Sequence, residues 1–492
     1  MALTSLIARP GDSVGVALSD RPVGAVEQGV TLIEPIAAGH KFALRAIAPE
    51  EPVIKLGHAI GRASTAIAPG AHVHDHNLAF ARSADRTIGG AILPPLPPQD
   101  ASFMGYVRDD GRVGTRNYIG VLTSVNCSAT VARRIAAHFT PERLAAFPNV
   151  DGVVALTHHS GCGMAKDGLG LTLLRRTIEG TARHPNFAEV LMVGLGCEVN
   201  QIAAMPANGL AYLGIQDAGG TMAAIERGIA IITDMLPQAN LAQRQVVSAR
   251  HLTIGLQCGG SDGYSGVTAN PALGCAADRL VAAGGRVILS ETPEIYGAES
   301  LLLRRAADEA VGRALIDRLA WWEDYAARDG ADLDNNPSPG NKAGGITTIL
   351  EKSLGAVAKA GSSALNAVVG YAEPVTAPGL TFMDSPGYDP AAATGQIAGG
   401  AQMILFTTGR GSVFGSLPAP TLKLATNARL ARAMADDIDV DCSAVLDGVP
   451  LETMGAQIFD ALIAAASGRK TASEALGLGE QEWVPWVPGA VY

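Results

Sequence analysis

Short apolar runs that end in turn residues, alternating with helical stretches, constrain this chain more than any other feature. From Gly105 onward, strand-like runs at 118–125, 152–157 and 189–195 alternate with SATVARRIAAHF and GLTLLRRTIEGTARH. A long helical segment, GGTMAAIERGIAIITDMLPQ, closes that series. A second series opens with LTIGLQ at 252 and continues through RVILSE, LTFMDS and MILFTTG. Between these lie helical stretches such as LLLRRAADEAVGRALIDRLAWWEDYAARD. Such alternation is the βαβ signature of a parallel sheet. Runs of Val, Ile and Leu without polar alternation are strands buried on both faces. The chain therefore reads as α/β in two parts, 104–245 and 246–492.

Residues 1–86 have a different texture. GVALSD, GVTLIE and FALRAIA are short runs separated by Gly, Pro and Asp, without an amphipathic helix of three turns. They predict a small β domain. Residues 87–103, TIGGAILPPLPPQDASF, are dense in Pro and Gly and predict a semi-extended linker. No self-repeat of solenoid length occurs.

The 492 residues are 48% hydrophobic and 17% charged, enough apolar material for a large core and too little polarity for disorder. A net charge of −10 argues against nucleic-acid and anionic-membrane partners. No apolar run has the length of a membrane span, and the N-terminus lacks the pattern of a secretory signal. We expect a cytoplasmic protein with its six cysteines reduced.

Four of those cysteines stand just past an apolar run: Cys127 after YIGVLTSVN, Cys162 after VVALTHHSG, Cys197 after VLMVGLG and Cys258 after LTIGLQ. Ligands of open α/β sheets sit outside the carboxyl ends of the strands. For one cysteine, packing as a small hydrophobe is the ordinary reading. Four in the same local position suggest thiolates converging on iron, an iron–sulfur cluster or zinc. Cys275 reads as packed in a helix and Cys442 as incidental.

Other candidates come from polar clusters at strand ends. AHVHDHNLAF places His72, His74 and His76 at alternate positions, which one face of a strand would display together. The plain alternative is a solvated β edge. Arg116 and Asn117 precede a strand, where Arg116 could clamp a carboxylate bidentately or form an ion pair. His158, His159 and Cys162 share a Gly-rich loop. The segment LQCGGSDGYSGVTANPALG combines Gly259, Gly260, Ser261, Asp262 and Ser265 before a helix. The loop NNPSPGNKAGG, 335–345, is either a connection or a lid. FTTGRGSVFGSLPAP carries Gly409, Arg410 and Gly411 after a strand, but its GxGxxxG spacing and the absence of a following helix exclude a dinucleotide fingerprint. An anion-binding turn, with Arg410 and Lys423, fits better.

Taken together, DGRVGTRNYIGVLTSVNC, ALTHHSGCG, GLGCE, CGGSDGYSGVTANPALG, NPSPGNKAGG, FMDSPGYDP and FTTGRGSVFGSLPAPTLKLATN resemble the altronate/galactarate dehydratase family. VHDHN resembles the SAF-type β-clip domain that this family carries in front. The likeness spans nearly the whole chain. It implies a hydro-lyase that removes water from a sugar acid, ferrous iron, and a C-terminal Rossmann-like domain that binds no nucleotide. Its patterns map onto His74, His76 and Asn77, onto Arg116 and Asn117, onto Arg410, and onto Cys127, Cys162, Cys197 and Cys258; His72 and His159 lie outside them.

Our expectations follow from both readings. Three or four of the thiols hold iron, as Fe2+ or a cluster with one open position, with Mn2+ as a substitute. Arg116, Arg410 and Lys423 bind carboxylate. His74, His76 or His158 supplies acid–base function or a metal ligand, and Asn117 belongs to the same site. A mononuclear iron on His and carboxylates, with the thiols only packed nearby, is the alternative. The substrate is a sugar acid, altronate before galactarate. A sulfo-lyase acting on a sulfolactate-type acid and a non-catalytic sugar-acid binder are the competing readings. We expect a homodimer, with 104–245 as the dimerising part.

Overall fold

The computed structural model describes residues 3–82, 85–94, 96–201 and 210–491. The N-terminal β unit is built from small antiparallel sheets. One has four strands, in the order Ser5–Leu6, Val14–Ala17, Lys41–Ala43, His72–Val73; another joins Pro52–Lys55, His58–Ala63 and Leu78–Ala79. These short strands and turns enclose a small core of their own, Ala17, Leu32, Ile36 and Phe42. Their apolar residues Val14, Val53 and Ile60 join one cluster with Leu350 and Leu354 of the helix Ile349–Ala358.

Residues 85–94 and 96–101 run without helix or strand; Gly89 and Ala91 donate backbone hydrogen bonds to Leu303 and Arg304. The strand Ser102–Val107 then pairs antiparallel with Arg244–Ser248, so the two ends of the middle region lie side by side.

The middle sheet has four parallel strands in the order Gly152–Leu156, Tyr118–Thr123, Phe187–Gly194, Ala211–Gly214. Alternation divides its side chains. Ile119, Val121, Leu191 and Val193 pack on the helices Ala129–Ala136 and Thr221–Ala239. Leu122, Val154, Leu156 and Met192 pack on the helix Leu169–Ala182 and on Trp483.

The larger sheet has seven parallel strands in the order Leu365–Val369, Gly379–Met383, Arg286–Leu289, Thr253–Cys258, Met403–Thr408, Thr421–Ala425, Val440–Asp441. Ile254, Leu256, Leu380 and Leu405 face the helices Ala269–Ala282 and Leu451–Ala466. Ile404 and Phe406 face the helix Asp389–Ala398. Four of these strands match the apolar runs read in the sequence. The stretch 301–329, read as helical, is two helices, Ser300–Leu303 and Glu309–Arg328. Between them Ala306 bridges to Leu365, and the Asp308 carboxylate caps the second helix by accepting from the Val311 N–H at 2.9 Å. Among the described residues no helix is long and apolar enough to cross a membrane.

Candidate active site

In the seven-stranded sheet the chain runs from Thr253–Cys258 to one side and later resumes, with Met403–Thr408, on the other. The crevice at the carboxyl ends of that strand pair is where ligands of such sheets bind. Two turns meet there. The N–H groups of Gly409 and Arg410 donate to the Gly260 carbonyl at 3.1 and 2.8 Å. Asp262, buried beneath them, accepts from Ser265 Oγ, Thr426 Oγ1 and Asn427 Nδ2 at 3.0–3.1 Å. Asn427 also donates to the Gly409 carbonyl at 3.0 Å. A Cβ built on Gly409 would overlap the Asp262 carboxylate, so only glycine fits. The Arg410 side chain is exposed and has no hydrogen-bond or ion-pair partner among the described residues.

Cys258 ends its strand beside two carboxylates from the next βα turn. The Sγ and one oxygen each of Glu291 and Glu294 lie within 4.8 Å of one another, all buried. Glu291 holds a left-handed backbone, φ 71°, which is costly for a residue with a Cβ, and its N–H donates to Ser385 Oγ at 2.9 Å. Lys359 Nζ stands 3.0 Å from the Cys258 sulfur and 3.8 Å from Glu291. Lys352 Nζ contacts Glu294 at 2.8 Å and Asn336 Oδ1 at 2.7 Å. Both Glu291 oxygens and Glu294 Oε2 have no hydrogen-bond partner.

Burial pushes the Glu291 carboxyl well above the ordinary carboxylate range and the Cys258 thiol up to about 11. Asp389 borders the same space: burial, then the Glu294 charge, raise it to about 7. A side chain at Gly259 would collide with the Asp389 carboxylate. Buried lone pairs without donors are costly unless a cation meets them. A thiol with two carboxylates therefore fits a divalent transition metal, and oxygen donors beside one sulfur suit iron, manganese or zinc.

The N-terminal β unit covers this end of the sheet. Lys41 and Lys55 both reach the buried Glu351, at 2.9 and 2.7 Å. Tyr264 Oη donates to the Ala17 carbonyl at 2.9 Å. The 335–345 loop lies between the two: Asn336 is at Glu294, Asn341 donates to the Ser261 carbonyl at 2.9 Å, and the carbonyls of Lys342 and Ala343 meet His74 Nε2 and His40 Nε2 at 3.0 and 3.2 Å. Ser338 and Asn341 form a reciprocal capping box that holds the loop in shape.

The histidines cluster for a reason other than strand alternation. Only His72 and Val73 are strand; a turn follows, in which the His74 N–H donates to Asn77 Oδ1 at 3.0 Å and the Asn77 N–H returns to the His74 carbonyl at 3.0 Å. His76 is exposed, and His40, from a neighbouring strand end, completes the group.

Several predicted site residues are placed elsewhere. Arg116 is buried with its fork on Glu474, at 2.6 and 2.7 Å, and its remaining N–H groups on the carbonyls of Thr115, Ala465 and Arg469. It has no donor left for a substrate, so the expected carboxylate clamp is a structural ion pair. Asn117 donates to the carbonyls of Asn149 and Ala239 and accepts from Arg108. Lys423 is buried on the Ser412 carbonyl at 3.0 Å and Asp437 at 3.3 Å. His158 is locked as a neutral ring, its Nε2 on the Thr123 carbonyl at 3.0 Å and its Nδ1 accepting from the Ser160 N–H at 3.2 Å. Cys127, Cys162 and Cys197 are exposed on loops of the middle sheet, whereas Cys258 is buried in the other sheet. Those three loops are stitched together: Asn126 N–H donates to Ser160, Asn200 N–H to Gly161, and Ser124 Oγ to Glu198 at 2.6 Å.

Sequence reading missed Glu291, Glu294, Lys352, Lys359, Asp389, Lys41, Lys55, Glu351 and His40. The rule applied to the cysteines would have found the first two, since Glu291 and Glu294 directly follow the run RVILS. The lysines and His40 had no local signal.

Three family models cover the chain: the altronate/galactarate dehydratase SAF domain matches residues 4–81, the D-galactarate dehydratase/altronate hydrolase second domain 105–240, and the D-galactarate/altronate dehydratase C-terminal domain 249–491. The chain is 38% identical to an altronate dehydratase of Escherichia coli K12 over 94% of its length and 95% of the relative's. It is 35% identical to an altronate dehydratase of Bacillus subtilis 168, over 93% and 94% of the two chains. To a galactarate dehydratase (L-threo-forming) of E. coli K12 it is 36% identical, over 96% and 94%. With an SAF domain in front, parallel sheets behind and relatives matched nearly end to end, this chain belongs to the altronate/galactarate dehydratase family of hydro-lyases.

Proposed function

We propose that the protein dehydrates altronate to the 2-keto-3-deoxy acid in the crevice around Cys258, with galactarate as the second candidate substrate. The observation that carries this reading is the strand-end set Cys258, Glu291 and Glu294, in which both Glu291 oxygens and Glu294 Oε2 lack donors, with the unpartnered Arg410 on the adjoining turn. Two full-length relatives named altronate dehydratase put that substrate first. We read 246–492 as a Rossmann-like unit, 87–103 as the linker between the N-terminal domain and 104–245, and the protein as a cytoplasmic homodimer.

The reaction removes the weakly acidic proton next to the carboxylate and expels the neighbouring hydroxyl. The enol left behind tautomerises to the keto acid. Arg410 grips the substrate carboxylate. Asp389, held near 7, takes the proton at its carboxylate, the range in which a general base works best at neutral pH. The ammonium groups of Lys352 and Lys359 stabilise negative charge as it develops. Cys258, Glu291 and Glu294 would hold iron, or Mn2+ in its place, and the ion would supply Lewis acidity.

The test is turnover of altronate, galactarate and sulfolactate by anaerobically purified, iron-loaded protein, with iron content measured in parallel. Altronate should give the highest kcat/KM, and Cys258→Ser and Glu291→Gln should lose both iron and turnover. Full turnover without metal would remove the metal from the reading, and a preference for galactarate would change the substrate.

A further inference from the structure

The two carboxylates beside Cys258 are aimed by different means. Glu294 is held at its side chain, by Lys352 Nζ at 2.8 Å and Asn336 Nδ2 at 3.3 Å. Neither Glu291 oxygen has a hydrogen-bond partner, and Lys359 Nζ stands 3.8 Å away. The direction of the Glu291 carboxylate therefore follows from its backbone. That backbone is left-handed, φ 71° and ψ 70°, a conformation that a Cβ disfavours and that persists only where neighbouring groups impose it.

The imposing groups come from FMDSPGYDP, the run that ends the strand Gly379–Met383. Ser385 Oγ gives its proton to the Pro386 carbonyl at 3.1 Å and accepts from the Glu291 N–H at 2.9 Å. The Thr292 N–H donates to the Ser385 carbonyl at 3.0 Å. Thr292 Oγ1 donates to Asp384 Oδ1 at 2.6 Å. Asp384 is fixed in turn: Trp322 Nε1 donates to the same oxygen at 2.8 Å, and Arg318 stands 3.9 Å from the other. Asp384, Ser385, Thr292 and Trp322 are all buried, so water does not compete for these bonds. Further along the run, a Cβ added to Gly387 would stand 3.1 Å from Glu294 Cγ, so the same segment also walls the second carboxylate.

We propose that Asp384 and Ser385 are positioning residues: through Thr292 and the Glu291 N–H they hold the left-handed turn that brings the Glu291 carboxylate to Cys258, on the reading that Cys258, Glu291 and Glu294 hold the metal. Neither belongs to the ligand set itself. Without the Ser385 hydroxyl, the Glu291 N–H loses its acceptor and the residue relaxes to right-handed or extended backbone, which turns its Cβ away from Cys258. Glu294 stays on Lys352. The centre keeps a thiolate and one carboxylate and loses the other. Removing an outer partner of a metal ligand typically weakens binding by about 10–100-fold.

The test reads Co2+ binding by full-length protein, stripped with chelator and titrated anaerobically. Wild type should show a thiolate charge-transfer band whose Cys258 component is the part that Cys258→Ser removes. Ser385→Ala and Thr292→Val should keep that component, bind Co2+ about 10–100-fold more weakly and show altered ligand-field bands as one carboxylate leaves. Thr292→Ser restores the hydroxyl and should bind as wild type. A crystal structure of metal-free Ser385→Ala should show Glu291 outside the left-handed region. Wild-type affinity and ligand-field bands in both Ser385→Ala and Thr292→Val, or a left-handed Glu291 in the variant structure, overturn the proposal. A wild-type spectrum that Cys258→Ser leaves unchanged overturns the metal reading instead, and the backbone of Glu291 in metal-free Ser385→Ala then decides the positioning role by itself.

Discussion

Arginine and histidine show how little a side chain's type says about its task here. Arg116 and Arg410 both flank strands of parallel sheets. The first has its guanidinium closed on Glu474 and three carbonyls; the second is exposed and unpaired. Lysine keeps the charge of either but loses the planar fork. Arg410→Lys should weaken kcat/KM by ~1–3 kcal/mol with the melting temperature unchanged, and Arg116→Lys should do the reverse. Steady-state kinetics beside thermal unfolding of both variants checks the pair, and an unchanged kcat/KM for Arg410→Lys removes it from the site. His158 and His184 are both buried neutral rings, each donating from Nε2 to a carbonyl and each lowered to about 4 by burial. Their unfolded value is near 6.5, so between these values the unfolded chain binds more protons and stability rises with pH. The contribution is intact above pH 6.5 and is lost as pH falls toward 4, with an upper size of about 3 kcal/mol each. Denaturant unfolding at pH 7 and pH 5 should show the loss, and His158→Gln should reduce its pH dependence.

Turns, more than sheets, build the proposed active centre at the level of elements. The strands Thr253–Cys258 and Met403–Thr408 set two turns side by side, and Asp262 fastens them through Thr426 and Asn427. Gly409 is pressed on the Asp262 carboxylate, so Gly409→Ala must displace backbone or carboxylate. We expect a folded protein whose kcat/KM falls at least about tenfold, since ~1.4 kcal/mol of misplacement is enough. Circular dichroism with kinetics tests this; wild-type turnover would mean that the turn does not position Arg410. The 335–345 loop has its own device, the Ser338–Asn341 capping box, and Asn341 also donates to Ser261. Residues Pro339–Ala343 of this segment form a short helix, so it is more ordered than its composition suggested.

On the scale of the whole molecule, one buried carboxylate fastens the SAF domain. Glu351 takes Lys41 and Lys55 together, and those two ammonium charges hold its carboxyl below the ordinary range against burial. A depressed carboxyl contributes stability above its unfolded value of about 4.5 that is lost only in stronger acid. Removing one partner of a buried charge set costs on the order of 3–5 kcal/mol, because the others stay buried and unpaired. Glu351→Ala should therefore release the SAF domain, opening residues 85–101 to limited proteolysis and reducing turnover. Protease resistance equal to wild type would mean that the apolar cluster to which Val53, Ile60 and Leu350 belong holds the domain unaided.

Much of this architecture was legible in the amino-acid order, and the limits were physical. Apolar runs such as TIGLQC and MILFTT are buried on both faces, so hydrophobicity alone marks them. The edge strands Leu365–Val369 and Val440–Asp441 are half-solvated or two residues long and carry no such mark. Local turn chemistry placed Cys258 and Arg410 at strand ends, because a strand end is a property of a few consecutive residues. Which strand ends share a crevice is decided by sheet order. That order puts Cys258 with Glu291 and Glu294, and Cys127, Cys162 and Cys197 on the middle sheet. Contacts across long sequence separations were out of reach altogether. His40 meets Ala343, and Lys41 meets Glu351, only because the SAF domain docks on the larger sheet, and docking depends on the shape and charge of two assembled surfaces.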